Sequence, residues 1–352
     1  MRCILILGRD PQLGLAEFES YSTSRGISYK IIKKSDVGVV LDLPDSLNCK
    51  KVMKEIGGSQ KIVRVIEDFD GLYRGGKGKL KYAISNYTSD DVSDLKEELK
   101  QYFKSQGLKA MLKKSHHKQT YLNPSEAQNV LEIVVFDEYI GKTIAIFNPN
   151  DHKTRDLKRP DQERLHSISI RLAKILINLS GAKKKDKLLD PFCGIGTILQ
   201  EAMLLGVEVY GIDKSATMLK SAKNNIAWLR KSYSVKPSFK LFLGDATRMS
   251  SYVKKVDYVV SEPFMGPFLR KLPTPQDAKK TIKKLEPMYN AVLKEIKSIR
   301  CKKAVIVVPV FFTRTRRNFE LDLDLTGFKV TSFEYETPTS KLKRRILILE
   351  KR

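Results

Sequence analysis

From Lys187 onward the chain alternates short β-branched runs with amphipathic helical ones, and that switch of period restricts the fold more than any other feature. K-L-L-D-P-F leads into I-G-T-I-L-Q-E-A-M-L-L, and E-V-Y-G-I-D leads into A-T-M-L-K-S-A-K-N-N-I-A-W-L. Strands joined through helices specify a parallel sheet with crossover connections. The alternation continues through F-K-L-F-L-G-D, V-D-Y-V-V-S-E, a long helical stretch from Asp277 to Ile299, and A-V-I-V-V-P-V-F. K-V-T-S-F-E-Y-E and R-R-I-L-I-L-E-K then follow closely enough to pair as a hairpin. The expectation is an α/β, Rossmann-like, seven-stranded and mostly parallel sheet.

The first half has a different texture. Strand-like I-L-I-L-G, G-V-V-L-D-L, K-I-V-R-V-I and K-Y-A-I-S-N-Y are mixed with helical S-D-L-K-E-E-L-K-Q-Y-F-K and E-A-Q-N-V-L-E, followed by strand-like I-A-I-F-N. This is an α+β pattern. The Gly- and Lys-rich segment Gly71 to Lys79 marks a sub-boundary. Asn148 to Pro160 is polar, charged and bounded by proline, which suits a linker. The chain of 352 residues therefore divides into 1–70, 71–148, a linker at 149–165, and 166–352, sizes that can each bury a core or share one.

Charge narrows the partner. Sixty-five Lys and Arg stand against 40 Asp and Glu, a net +25, which favours a polyanion such as nucleic acid. Cys3, Cys49, Cys193 and Cys301 are far apart, with no C-x-x-C pair and no histidine at ligand spacing, so neither a disulfide frame nor a zinc knuckle is expected. No metal is assigned. No stretch reaches the roughly 18 apolar residues of a membrane span, and a reducing, cytoplasmic setting fits.

The first turn of the second half carries the chemistry. Asp190-Pro191-Phe192-Cys193-Gly194-Ile195-Gly196-Thr197 ends a strand and opens a helix, where glycines let backbone amides approach a ligand. A dinucleotide fingerprint would need glycine at Leu199, and a phosphate-binding loop would need Gly-Lys-Ser or Gly-Lys-Thr. Both are missing, and what remains is the turn of an S-adenosylmethionine site, whose ligand brings an amino acid and a nucleoside but no phosphate. Asp213, 19 positions beyond Gly194, stands where an acid accepts ribose hydroxyls. Asp245, in L-G-D-A-T, ends the next strand and suits the adenine amino group. Lys214 and Ala246, directly after these acids, complete the cofactor set.

D-P-F-C-G-I-G-T, with its downstream G-I-D and G-D-A, resembles the class I S-adenosylmethionine-dependent methyltransferases, and more narrowly the THUMP-domain RNA methyltransferases. K-Y-A-I-S-N-Y with its L-K-E-E-L-K helix, Y-L-N-P-S-E-A-Q-N-V-L-E-I-V and G-K-T-I-A-I look like a THUMP module behind a small ferredoxin-like domain. R-D-L-K-R-P-D and R-L-A-K-I-L-I-N-L-S are similar to the linker and first helix of the tRNA guanosine-10 N2-methyltransferase family. The resemblance implies tRNA, or another structured RNA, as partner and the exocyclic N2 of a guanosine as target. Arg64, Arg74, Lys77, Lys79, Lys113, Lys114, Lys118, Arg155, Lys158 and Arg159 are then candidates for phosphate contacts. His116 and His117 are read as surface residues. The residues do not say whether a helper subunit joins the chain.

One departure stands out within that resemblance. Methyltransferases of exocyclic amines usually carry Asp-Pro-Pro-Tyr or Asn-Pro-Pro-Phe, whereas this chain has Ser261-Glu262-Pro263-Phe264 in V-V-S-E-P-F-M-G-P-F. The amine needs two hydrogen-bond acceptors and a stacking surface for a base taken out of its helix. Glu262 supplies the carbonyl and Phe264 the ring, while Ser261 is a weaker, neutral acceptor. A working variant is expected, with the Glu262 carboxylate turned toward the base to restore the charge. The competing readings are a non-catalytic RNA-binding protein that keeps the fold, and methylation of adenine N6 in RNA or DNA.

Overall fold

Runs such as R-C-I-L-I-L become strands because β-branched and leucine side chains pack on a pleated, buried surface, and the computed structural model pairs them into two sheets. It describes residues 1–73, 75, 78–88, 91–115, 119–163, 168–336 and 341–352. Arg74, Lys77, His116, His117 and Lys118 lie outside the described residues. The chain divides into two compact units, 1–15 with 26–153, and 16–25 with 154–352. Among the described residues no helix is long and apolar enough to cross a membrane.

The first sheet is built from β1 (Arg2–Leu7), β2 (Lys30–Lys34), β3 (Gly38–Asp42), β4 (Ser59–Val65), β5 (Lys79–Asn86), β6 (Lys109–Leu112), β7 (Leu131–Phe136) and β8 (Tyr139–Ile146), in the order β2-β3-β1-β4-β8-β7-β5-β6. Helices α1 (Pro11–Ser24), α2 (Cys49–Glu55), α3 (Ser93–Ser105) and α4 (Pro124–Ala127) connect them. The expected sub-boundary at Gly71 to Lys79 falls between β4 and β5. One continuous sheet runs through both sides, since β4 pairs antiparallel with β8, Ile62 opposite Ala145.

The helical reading of E-A-Q-N-V-L-E is corrected. Asn123 caps a single turn by accepting from the Ser125 and Glu126 amides, while Glu126 accepts from the Asn123 amide, a reciprocal capping box. The helix stops at Ala127, and Leu131-Glu132 already belong to β7. The β-branched run I-V-V downstream, paired on both edges by β5 and β8, outweighs local helix propensity.

The second unit holds α5 (Pro149–Lys158, begun in the first), α6 (Ile170–Ser180), β9 (Lys187–Asp190), α7 (Thr197–Leu204), β10 (Glu208–Asp213), α8 (Ala216–Tyr233), β11 (Phe239–Leu243), a 3-10 helix (Ala246–Ser251), β12 (Tyr258–Ser261), α9 (Pro275–Ser298), β13 (Lys303–Phe312), β14 (Asn318–Glu320), β15 (Phe328–Tyr335) and β16 (Lys343–Lys351). Strand order is β11-β10-β9-β12-β13-β16-β15, with β14 beside β13. β9 to β13 run parallel, and β16 enters antiparallel between β13 and β15. The seven expected strands are all present, and β14 is an addition too short to register as a period. The expected linker is largely the helix α5, whose fixing residues belong to the site below.

Candidate functional site

β9 ends at Asp190 in mid-sheet, between β10 and β12. The chain must then turn into α7, and two left-handed glycines allow it: Gly194 at φ +50° and Gly196 at φ +84°. A Cβ on Gly196 would approach that of Ala222 in α8 to 3.3 Å, whereas one on Gly194 would meet nothing within 4 Å. Gly196 is thus a packing glycine at the cap of α7. Gly194 presents bare backbone to open space, as a ligand lying across the turn would require.

Acids at the strand ends hold this turn. The Phe192 amide donates to Asp190 Oδ1 at 3.1 Å and the Gly194 amide to Asp213 Oδ2 at 2.9 Å. Asp213 Oδ1 accepts from the Ser215 amide at 2.9 Å. A carboxylate has about four acceptor sites, so Asp213 keeps capacity for hydroxyls. At the end of β11, Asp245 accepts from the Thr247 amide and hydroxyl, both at 2.8 Å, bonds that hold its carboxyl below the usual range. Lys214 is exposed after Asp213, and Ala246 is buried at the start of the 3-10 helix. Pro191, Cys193 and Thr197 are buried, and Phe192 packs partly against the sheet core. An open glycine turn beside the half-buried Asp213 and the exposed Asp245, with no lysine in the turn itself, fits a nucleoside-bearing ligand better than a polyphosphate.

The second chemical segment arises one strand away. β12 lies parallel to β9, with Val259 opposite Leu189, and this register brings Ser261 to Asp190. The Ser261 hydroxyl donates to Asp190 Oδ1 at 2.6 Å, with Ser261 0% and Asp190 2% exposed. Burial raises the Asp190 carboxyl to about 7 against the lowering effect of the Ser261 and Phe192 hydrogen bonds. The Glu262 carboxylate, expected to face a base, accepts instead from Arg344 Nε of β16 at 2.7 Å, and its side chain is 8% exposed. Its attachment is the antiparallel strand that the β15–β16 hairpin inserts beside β13, a partner 82 residues away that no local pattern announces.

Beyond Pro263 the chain comes to the surface. Phe264 is 52% and Phe268 58% exposed, unusual for rings of that size. The Phe264 carbonyl accepts from the buried Tyr289 hydroxyl of α9 at 3.3 Å. Gly266, at φ +97°, lets the loop pass close to Thr281. Phe264 and Phe268 line a groove of about 530 Å³ whose other walls include Arg270, Lys280, Lys284 and Arg314. Aromatic faces among cations form the composition that holds unstacked nucleotides.

Two arginines expected to meet phosphate do something else. Arg155 of α5 grips Glu201 of α7 with two bonds, 2.7 and 3.0 Å, and Arg159 donates to the Thr197 hydroxyl at 3.0 Å. Both are buried, so they brace the helix that follows the glycine turn. The only hint in the sequence was their place in a polar segment next to the catalytic half. Arg64, Lys79, Lys114 and Lys158 are exposed, and Lys113 donates to the Glu126 carbonyl at 2.9 Å.

Comparison with known proteins finds likenesses to methyltransferases. The family described as RMKL-like, methyltransferase domain, matches residues 158–332, just under half of the chain, and a DNA methylase family matches 76–224. The chain is 29% identical over 278 residues to the tRNA (guanine(10)-N2)-dimethyltransferase of Methanothermobacter thermautotrophicus, covering 75% of this chain and 77% of that one. It is 30% identical over 218 residues to the protein of the same name from Pyrococcus abyssi, covering 61% of this chain and 59% of that one. Among solved structures, TrmN from Thermus thermophilus superposes with a TM-score of 0.54 at 15% identity, covering 100% of both chains. SMU.472, solved in complex with SAH, gives 0.51 at 12% identity over 100% of this chain and 98% of that one. These two likenesses speak for the fold alone.

Proposed function

We propose that this protein is an S-adenosylmethionine-dependent tRNA methyltransferase acting on the exocyclic N2 of a guanosine, of the position-10 type named for its relatives. The observation that carries this reading is the emergence of the open Gly194 turn and the exposed Phe264 from neighbouring strands, β9 and β12, linked by the Ser261–Asp190 bond. Open α/β sheets bind ligands at this edge. The cofactor supplies an electrophilic methyl group. Gly194 leaves room for it, Gly196 lets α7 start close against α8 behind the turn, Asp190, Pro191, Phe192 and Thr197 shape the turn, Asp213 takes the ribose hydroxyls, and Asp245 takes the adenine amine. Lys214 and Ala246 flank those acids.

A guanine amine is a poor nucleophile because its lone pair is drawn into the ring. Ser261 and the Glu262 carbonyl accept its hydrogens, Pro263 fixes the bend, and Phe264 stacks on the flipped base. Phosphates on either side meet the cations of the groove. Residues 1–70 serve as the ferredoxin-like part and 71–148 as a THUMP module, their strands in one shared sheet, with Arg64, Lys79 and Lys114 facing RNA.

Incubation with methyl-tritiated S-adenosylmethionine and bulk tRNA is expected to label the tRNA, and nucleoside mass spectrometry to find methylated N2 of guanosine. Correctly folded protein that labels no RNA would sink the proposal. A product at adenine N6 would move it to the other base. Phe264→Ala is expected to weaken productive RNA binding by about 1 to 3 kcal/mol, the cost of one stacked base, while leaving the melting temperature within a degree or two because the ring is half exposed. Lys280→Ala and Lys284→Ala are each expected to flatten the slope of log affinity against log salt by about 1. Filter binding across a salt series measures both, and parallel slopes for parent and variants would place the phosphates elsewhere.

A further inference from the structure

We propose that Asp190 is the proton acceptor of the methyl transfer and that the Ser261 hydroxyl relays the proton to it, so that the acid missing from position 261 is supplied from the adjacent strand. This rests on the reading of the site as one that methylates an exocyclic amine. Three observations carry it. Ser261 already gives its hydrogen to Asp190 at 2.6 Å, within the range for a hydroxyl on a carboxylate. A hydroxyl so engaged has only its lone pairs left, and toward a bound amine it must accept. The nearer carboxylate in sequence, Glu262, is held by Arg344, and Asp190 is then the carboxylate hydrogen-bonded to the motif's first side chain.

The surroundings suit that task. Asp190 is buried, with Asp213 of β10 and Glu262 beyond β12 as the negative groups bearing on it, Glu262 paired with Arg344, and the buried Cys193 thiol nearby. Its carboxyl at about 7 is that of a base matched to neutral conditions. As the amine nitrogen bonds to the methyl carbon, the electron pair of the broken S–C bond stays on sulfur and the nitrogen becomes cationic. One N–H proton passes to Ser261 Oγ while the Ser261 O–H proton passes to Asp190 Oδ1. The products are a neutral methylated amine and a neutral carboxyl, which later releases its proton to solvent.

The test pairs single-turnover methylation of tRNA across pH with calorimetric binding of S-adenosylhomocysteine. The parent rate is expected to rise with pH through one ionisation near 7. Asp190→Asn should lower the rate by about 10²- to 10⁴-fold, the usual contribution of a general base, and remove the pH dependence, a loss far larger than any fall in S-adenosylhomocysteine affinity because asparagine can still accept from the Phe192 amide. Adding Ser261→Asp to Asp190→Asn should recover at least about tenfold of the rate, on the same ground. An unimpaired Asp190→Asn enzyme overturns the relay, as does a rate that falls only in proportion to cofactor affinity, which would make Asp190 a holder of the turn. Should Asp190→Asn fail to fold, Ser261→Ala decides: loss of the ionisation near 7 with binding intact supports the relay, and an unchanged profile overturns it. RNA labelling by the parent with Asp190→Asn unimpaired defeats the relay alone, whereas a parent that labels no RNA defeats the functional reading and the relay with it.

Discussion

Glu132→Ala is expected to lower the stability of the first unit by about 3 to 5 kcal/mol, the cost of leaving a buried charge without its partner. Glu132 on β7 and Lys61 on β4 are both 0% exposed and meet at 2.5 Å. The carboxylate also receives the Ser85 hydroxyl and, at 2.6 Å, the Thr143 hydroxyl, while Lys61 donates to the Leu122 carbonyl at 2.6 Å. Desolvation pulls the Lys61 ammonium below its ordinary value, and Glu132 is the main group opposing that pull. Alanine removes the opposition and strands one donor of Lys61 together with the Ser85 and Thr143 hydroxyls, while the bond from Lys61 to the Leu122 carbonyl remains. Thermal unfolding should show a fall of roughly 10 °C, with amide exchange accelerated in β4 and β7. The control is a double replacement, Lys61→Met with Glu132→Leu, which should regain most of the loss because a buried pair is often no better than apolar side chains of its size. A single variant within about 1 kcal/mol of the parent would show that Lys61 relaxes to another partner.

The same pair shows what a sequence conceals. Lys61 sits in K-I-V-R-V-I and Glu132 in V-L-E-I-V, and each reads locally as an ordinary polar position. Their burial follows from β8 lying between β4 and β7, which is a property of the sheet order. The catalytic half was legible because its determinants are local: strand period, the two glycines of the turn, and acids placed at strand ends by chain direction. Ser261–Asp190 and Glu262–Arg344 were not, since each joins residues more than 70 positions apart through a register fixed only when β9, β12, β13 and β16 align. The segment at 149–165 was expected as a linker, and the division between the two units falls inside it. Its charge announced neither the helix α5 nor the partner of Arg155, a bidentate acid on α7.

Asp213→Ala is expected to reduce S-adenosylhomocysteine affinity by about 10²- to 10⁴-fold. Hydrogen bonds to a charged group contribute about 1.5 to 3 kcal/mol each, and a carboxylate on both ribose hydroxyls makes two. Asp213 also ties the Gly194 amide at 2.9 Å and the Ser215 amide at 2.9 Å, so part of the loss would come from a loosened turn. The two contributions separate by chemistry. Asp213→Asn keeps an oxygen of similar position and can retain one amide tie, but it loses the charge and one acceptor, and its affinity should fall by about tenfold per 1.4 kcal/mol lost. A 2′-deoxyribose analogue of S-adenosylhomocysteine removes one hydroxyl from the ligand. If Asp213 binds that hydroxyl, the parent discriminates between the two ligands and Asp213→Ala does not, a coupling that a turn-holding role cannot produce. Equal discrimination by parent and variant would leave Asp213 as a structural tie of the β9 turn and assign the ribose to another group.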